Sequence, residues 1–390
     1  MKPQSQNKIL IVSSFFPFPS FFGGAYDVFE RIKGLKSLGF EIDLICTCKT
    51  IPKEEDIDFV KTYIEELFLV ERKNRLLDLF NLKPLQVISR NELKNVVLHQ
   101  KYNYTILESE CVGLILENKS LRTDEVIVRI HNNESKYFRE LAYSTHSFFN
   151  KLYYFQESFK YNYFSFNIFS KADRLWFISK EELVQNELNT SMGYKSTHLP
   201  SPINDPFLKQ ELSSKTVLFI GALFMPNNIE ALLWYLDFVH PFLVKEENYK
   251  LIIVGSTGEF TEDYFRKKLN HYSNIELFFN AKELDLFYAQ STVFINPMFH
   301  GTGVKLKSIN AIVNGLPLIA TTIGAEGIGL DGEMYFEANT PTEFITSILA
   351  VFNLSPAEKH VKVSAAQSYL LNVNYLSILK KEFKECLKTR

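Results

Sequence analysis

Between residues 301 and 307 the chain reads Gly301-Thr302-Gly303-Val304-Lys305-Leu306-Lys307, two glycines and two lysines in one short stretch. Glycines leave backbone N–H groups bare, and when such a loop runs into a helix the positive end of the helix dipole points at the same place. Lysines there oppose the dipole by roughly 0.3 kcal/mol or more unless an anion compensates. The chemistry this pattern serves is the binding of a phosphate-like anion and, where that anion is a leaving group, stabilisation of its developing charge. The plain alternative is a tight turn flanked by solvated lysines. The stretch lacks the Gly-Lys-Ser/Thr ending of a P-loop and the third glycine of a dinucleotide fingerprint. Two further places carry polar groups. Glu108-Ser109-Glu110 and His131-Asn132-Asn133-Glu134 each follow an apolar run, and Gly23-Gly24 closes a loop rich in Phe and Pro.

These residues need elements to hold them. Residues 292–296 form an apolar run, and Leu306, Ile309, Ile312 and Val313 recur at helical spacing behind the glycine loop. Gly315-Leu316-Pro317 stops that helix, and a second apolar run over 316–321 makes a strand–loop–helix–strand unit of the parallel-sheet kind. The chain opens the same way: a strand over 8–13, the loop to Gly24, a helix over 25–38 and a strand over 41–46. Further strands are expected at 104–107, 125–130, 174–179, 216–220, 250–254 and 275–279. Helices are expected at 148–169, 180–188, from after Asn228 to about 244, at 262–269, from Pro341 and Pro356, and at 373–387; residues 56–97 read as mixed helix. In open parallel sheets ligands gather at the carboxyl ends of strands, where His131, Gly221, Gly255 and the loop 297–305 all fall. A lone histidine is more often structural; its place after a strand argues for a site.

Composition narrows the class. The 390 residues are 46% hydrophobic and 23% charged, an ordinary globular balance with length for two domains. A net charge of −2 leaves no basic field for nucleic acid, so no nucleic-acid partner is expected. Cysteines 46, 48, 111 and 386 have no metal-ligand spacing, and 46 and 48 lie too close on one strand for a relaxed disulfide. They read as reduced thiols of a cytoplasmic protein. The apolar run after Lys8 is too short for a secretory signal, and no run of eighteen apolar residues occurs. The three prolines of 198–206 mark the interdomain linker.

The run Pro297, Gly301, Gly303, Lys305, Lys307, Ala311, Gly315 and Pro317 resembles the motif of GT-B glycosyltransferases, in the retaining, metal-independent group (glycosyl transferases group 1, family 4-like) that builds bacterial surface polysaccharides. The resemblance is strong from about 216 to 330 and scattered before that. It implies two Rossmann-like doubly wound parallel-sheet domains facing each other across a cleft, at 1–200 and 207–372, with 373–390 returning as a helix to the first. It implies a nucleoside diphosphate sugar donor, a glycan, lipid-linked or protein-borne acceptor, and neither cofactor nor metal. By the same resemblance Lys305 and Lys307 hold the diphosphate and His131 faces the donor sugar. Gly23, Gly24, Gly221, Gly255, Ala281, His300, Gly301, Thr302, Gly303, Val304 and Asn310 then line the donor. The family departs from this chain at two places. Asn310 stands where a glutamate usually binds the ribose hydroxyls, and His300 where better-known relatives carry another glutamate. In the branch this chain resembles, a Pro-Asn pair, here Pro226-Asn227, replaces the arginine and lysine with which other relatives hold the diphosphate, which leaves that duty to Lys305 and Lys307. The Asn310 replacement motivates the competing reading, a GT-B-shaped nucleotide-sugar-binding or scaffold protein without turnover. A third reading, a nucleotide-sugar enzyme on this fold such as a non-hydrolysing epimerase, is disfavoured because the sequence does not offer the paired acid/base residues it would need.

The helix over 148–169 is exceptionally aromatic. The expectation is that Phe148, Phe149, Leu152, Tyr153, Phe155, Phe159, Tyr163 and Phe166 fill the core, as a helix apolar on most sides usually does. The competing reading rests this helix, with Lys73, Arg75, Lys83, Arg90 and Lys94, on the inner face of an anionic membrane that carries the acceptor.

Overall fold

The computed structural model describes residues 7–20, 23–145, 147–189, 191–203, 215–281, 283–330, 332–372 and 374–383. Part of the linker (204–206), Lys282 and Cys386 lie outside them. The strands are β1 (Lys8–Ser13), β2 (Glu41–Cys48), β3 (Glu66–Glu71), β4 (Tyr102–Leu107), β5 (Thr123–Ile130), β6 (Arg174–Phe177), β7 (Ser196–His198), β8 (Lys215–Ala222), β9 (Tyr249–Ser256), β10 (Ile275–Phe279), β11 (Val293–Asn296), β12 (Leu318–Ala320) and β13 (Phe336–Glu337). They build two all-parallel sheets, ordered β3-β2-β1-β4-β5-β6-β7 and β10-β9-β8-β11-β12-β13. Both are doubly wound, and each reverses direction once, between β1 and β4 and between β8 and β11. Strands buried on both faces need continuous apolar runs, which Ile9–Val12 and Leu251–Val254 supply.

Contacts divide the chain into two compact units. The first takes the described residues up to Arg139, Leu152–Pro202 and the stretch from Asn374; the second takes Glu140–Lys151 and the residues from Ile203. The last helix, Tyr375–Glu382, belongs to the first unit. Tyr375, Leu379 and Phe383 join the core of Ile9, Ile11, Ile32, Leu35 and Trp176, and Trp176 Nε1 donates to Glu382 Oε2 at 2.6 Å. The second unit packs Val217, Leu232, Leu251 and Phe344 on one face of its sheet and Leu218, Phe294, Ile312 and Leu370 on the other.

Several expectations change. The helix after β1 spans Gly23–Ser37, so Gly23 and Gly24 open the helix instead of closing the loop. Residues 66–71 form the edge strand β3 inside the stretch read as mixed helix; half its residues face solvent, which blurs the apolar run. The helix from Pro226 ends at Phe238, and a separate turn, His240–Leu243, follows because Pro241 cannot continue the hydrogen-bond ladder.

The aromatic helix, Phe148–Lys171, is the largest correction. It buries Glu157, Ser158, Lys160, Tyr161, Phe164 and Ile168 and leaves Phe148, Phe149, Leu152, Phe155, Phe159, Tyr163 and Phe166 exposed. Glu157 Oε2 accepts from Leu85 N at 2.7 Å and Lys160 Nζ donates to Leu79 O at 2.9 Å, so the inward face is the one that ties down the loop 79–85. Arg90 is corrected as well: it is buried, donating to Thr47 Oγ1 and Ser14 O at 2.9 Å each.

Candidate functional site

In the first unit the strand ends around the β1/β4 reversal converge on a buried charge network. Asp27 and Arg31 lie one turn apart on the helix Gly23–Ser37, Glu108 follows β4, Arg129 sits in β5, and none of the four side chains is exposed to solvent. Arg31 binds Glu108 in a fork, Nε to Oε1 at 2.7 Å and Nη2 to Oε2 at 2.9 Å, and also pairs with Asp27. Arg129 forks onto Asp27 at 3.1 and 2.9 Å. Burial alone would raise the carboxyl pKa of Asp27, but Arg129 and Arg31 outweigh it and hold it well below the usual range. Burial likewise works against Glu108, and Arg31 reverses that. Two guanidiniums thus balance two carboxylates.

His131 crowns this network. Its Nδ1 lies 3.8 Å from Asp27 Oδ2 and its Nε2 lies 3.5 Å from Glu108 Oε2, with part of the ring open to solvent. Nε2 is buried without a hydrogen-bond partner among the described residues, so the two carboxylates act on the ring by their charge and nearness. These three residues offer ligand atoms within 4.8 Å of one another. Both carboxylates are already gripped by arginines, so a metal ion would have to displace two charge-assisted forks. Asp27, Arg31 and Arg129 were not picked out from the sequence. A lone arginine inside the apolar run of β5 was the available signal.

In the second unit the site forms at the β8/β11 reversal. Gly301 and Gly303 have φ of +144° and +77°, conformations that strain any L side chain and explain the glycines. Asn296 holds the loop from below: its Nδ2 donates to Ser308 Oγ at 2.9 Å and Gly324 O at 2.7 Å, joining the ends of β11 and β12 to the helix Leu306–Val313. Lys305 sits just before that helix, buried, donating to Gly303 O at 2.7 Å and to Glu326 Oε2 at 3.1 Å. Lys307 donates to Asn228 Oδ1 at 2.8 Å and lies 5.3 Å from the centre of the Phe219 ring. Burial, and then repulsion from Lys305, bring its pKa down to about 7. Two crowded lysines beside the loop amides and a helix start can receive an anion.

The other expected residues scatter by role. Thr302 Oγ1 is buried on the loop without a hydrogen-bond partner, while Val304 backs Gly327. Asn310 is half-buried, and its side chain makes no hydrogen bond among the described residues. His300 Nε2 lies 3.7 Å from Glu230 Oε1. Gly221 and Gly255 have packing reasons of their own, since a Cβ would meet Asn228 Oδ1 at 3.2 Å and Leu223 Cγ at 2.4 Å. Ala281 packs on the apolar core after β10. Gly23 and Gly24 lie on the turn before Asp27.

Comparison with known proteins agrees with this layout. Residues 214–353 match the model of the family described as glycosyl transferases group 1. An uncharacterized 44.6 kDa protein in the cps region of Klebsiella pneumoniae is 34% identical over 97% of this chain and 99% of its own length. A mutant of S. aureus TarM, solved with fondaparinux, alpha-GlcNAc-glycerol and UDP, superposes with a TM-score of 0.69 at 10% identity, covering 98% of this chain and 99% of that one. Anabaena Alr3699/HepE, solved with UDP-glucose, gives 0.62 at 12% identity over 98% and 100%.

Proposed function

Since the chain belongs to the glycosyl transferases of group 1, with the GT-B fold, we propose that it moves a sugar from a nucleoside diphosphate sugar to a hydroxyl of a glycan or lipid-linked acceptor in surface polysaccharide assembly. The observation that carries the donor class is the pair Lys305, buried, and Lys307, half-buried, crowded beside the amides of 301–304, where an arriving anion relieves their repulsion. As the bond from sugar to phosphate breaks, charge develops on the leaving diphosphate, and these preorganised groups meet it without reorganising. His131, lying between Asp27 and Glu108, is assigned to the sugar. The positive charge for the diphosphate comes from lysine, so the proposed reaction needs no metal. Retention of the anomeric configuration rests on the resemblance of the loop 297–317, in which departing phosphate receives the acceptor proton. Calorimetric titration with UDP, GDP, dTDP and ADP, followed by donor-hydrolysis assays with the matching sugar nucleotides in EDTA, tests this. Binding without any turnover, with or without acceptors, would return the chain to the scaffold reading that Asn310 motivates.

The working place we assign is the cytoplasmic face of an anionic membrane. No helix among the described residues is long and apolar enough to cross a bilayer. What supports peripheral contact is the outer stripe of the aromatic helix, Leu152, Phe155, Phe159, Tyr163 and Phe166, beside Leu77, Phe80 and Leu82, the last two 83% and 92% exposed. The one acid of that helix, Glu157, is turned inward. Electrostatic help is modest, because Lys83 and Lys94 share Glu117 and Lys73 lies 3.6 Å from Glu92. Co-sedimentation with liposomes across a salt series should show attachment that survives salt. A protein that stays in the supernatant with anionic vesicles at low salt would end this reading.

A further inference from the structure

The first unit buries arginine in two different ways. Arg31 and Arg129 each fork onto a carboxylate, which compensates a guanidinium taken out of water. Arg72 and Arg90 are placed otherwise. Arg90 is 3% exposed and Arg72 half-buried, and neither has an ion-pair partner among the described residues. Their hydrogen bonds go to uncharged acceptors. Arg90 Nε donates to Thr47 Oγ1 and its Nη2 to Ser14 O, at 2.9 Å each, while Gln86 Oε1 accepts from Arg90 Nη1 at 3.2 Å and from Arg72 Nη2 at 2.7 Å. One amide oxygen thus bridges two like charges. Arg72 Nη1 has no acceptor among the described residues.

A guanidinium does not shed its charge to escape such a place. Burial, and then repulsion from Arg90, bring the pKa of Arg72 down to about 10, which still leaves it charged at neutral pH. Glu134 is within electrostatic reach of Arg90, but burial and then repulsion from Glu110 raise its pKa and weaken it as a counter-charge. An oxyanion with paired oxygens relieves both the desolvation and the repulsion of the two cations.

The position of the pair says which anion. Arg72 directly follows β3, its N–H bonded to Cys48 O at the end of β2, and Ser14 directly follows β1. Both arginines therefore stand on the carboxyl edge of the first sheet, and His131 stands on the same edge beyond the β1/β4 reversal. That edge is where open parallel sheets take ligands. Lys305 and Lys307 of the second unit answer to the diphosphate of the donor, so a further anion gathered by the first unit belongs to the other substrate.

Resting on the glycosyl-transfer reading above, we propose that Arg72 and Arg90 form an oxyanion site for the acceptor: the molecule that receives the sugar carries a phosphate or a sugar carboxylate, which Arg72 grips while Arg90, held by Thr47, Gln86 and Ser14, adds its charge. The test uses the full chain saturated with UDP, so that the diphosphate site is filled and added anions report on the first unit. Glucose 1-phosphate, glucuronate and glucose are titrated calorimetrically into the parent, Arg72→Gln and Arg72→Lys. The parent should bind one or both of the anions and not glucose, and the tighter of the two identifies the acceptor group as phosphate or carboxylate. Arg72→Gln should weaken that binding by about tenfold or more, and Arg72→Lys by less, because lysine keeps the charge and loses the fork. UDP affinity should be the same in all three proteins. Without ligand, Arg72→Gln should melt no lower than the parent, since the change removes a repulsion; a lower melting temperature would make Arg72 a structural residue and overturn the proposal. A parent that binds neither anion, or variants that bind them like the parent, would overturn it while UDP binding leaves the donor reading standing. Weaker UDP binding in the Arg72 variants would give the pair to the donor and overturn it too. Loss of attachment to anionic vesicles in Arg72→Gln would make the anion a lipid headgroup, with the same consequence. If the parent binds no UDP, the glycosyl-transfer reading falls and takes the inference with it.

Discussion

Lys307 concentrates the chemistry of the second unit at one atom. With its pKa near 7 when the site is empty, part of the population is neutral at physiological pH, and an arriving diphosphate raises that pKa by favouring the charged form. Binding then takes up a proton. Affinity for an intact sugar nucleotide, whose phosphates do not titrate in this range, should be flat below about pH 7 and decline as pH rises above it. Calorimetry from pH 6 to 9 in buffers of different ionisation enthalpy reads both the slope and the proton; a flat profile with no uptake would refute this. Lys305→Ala and Lys307→Ala should each weaken binding by roughly 1.5–3 kcal/mol, the range for hydrogen bonds to charged groups. His131 belongs to the other unit and predicts a different signature. His131→Ala should lower turnover by about a hundredfold, the scale of one lost stabilising donor, while affinity for the bare nucleotide stays within twofold. Undiminished turnover would make the histidine structural.

The helices and strands show which parts of a chain speak locally. Glu262–Leu269 and Ile275–Phe279 lie where the sequence places them, because Thr261 caps the first, its Oγ1 accepting from Tyr264 N at 3.3 Å, and the second is apolar at every position but Glu276. Gly315 ends the helix Leu306–Val313 with φ of +81°, the left-handed stop that the Gly-Leu-Pro string announces. The glycines and lysines of 301–307 were legible for the same reason: their geometry is set by near neighbours. The network under His131 was not, since Asp27, Glu108 and Arg129 are distant in sequence and meet only when β1, β4 and β5 pair. The orientation of the aromatic helix was hidden differently. Both of its faces are apolar, so periodicity found the helix and could not choose the inward side; the buried partners of Glu157 and Lys160 decided it. That face assignment is testable. Phe159→Ser with Tyr163→Ser should leave stability within about 0.5 kcal/mol by urea unfolding, as exposed substitutions do, and lower vesicle binding. Asp27→Asn, by contrast, leaves Arg129 buried without its counter-charge and should cost about 3–5 kcal/mol in the same unfolding measurement.

At the scale of the whole molecule the chain order and the core membership disagree. Leu379 has no exposed surface and packs with Ile9, Ile32 and Leu35, although the entire second unit is written between them. Leu379→Ala should therefore destabilise the first unit by about 2–5 kcal/mol, seen as early loss of Trp176 fluorescence with nucleotide binding by the second unit retained. Loss of both signals together would contradict the division into two units. The same return of the chain sets a timetable. A ribosome making about 5–20 residues each second needs roughly ten seconds or more to pass from Ile203 to Tyr375. Through that interval the first sheet is complete in sequence but open on the flank that Tyr375, Leu379 and Phe383 cover, so its apolar surface is offered to chaperones before its own chain can close it.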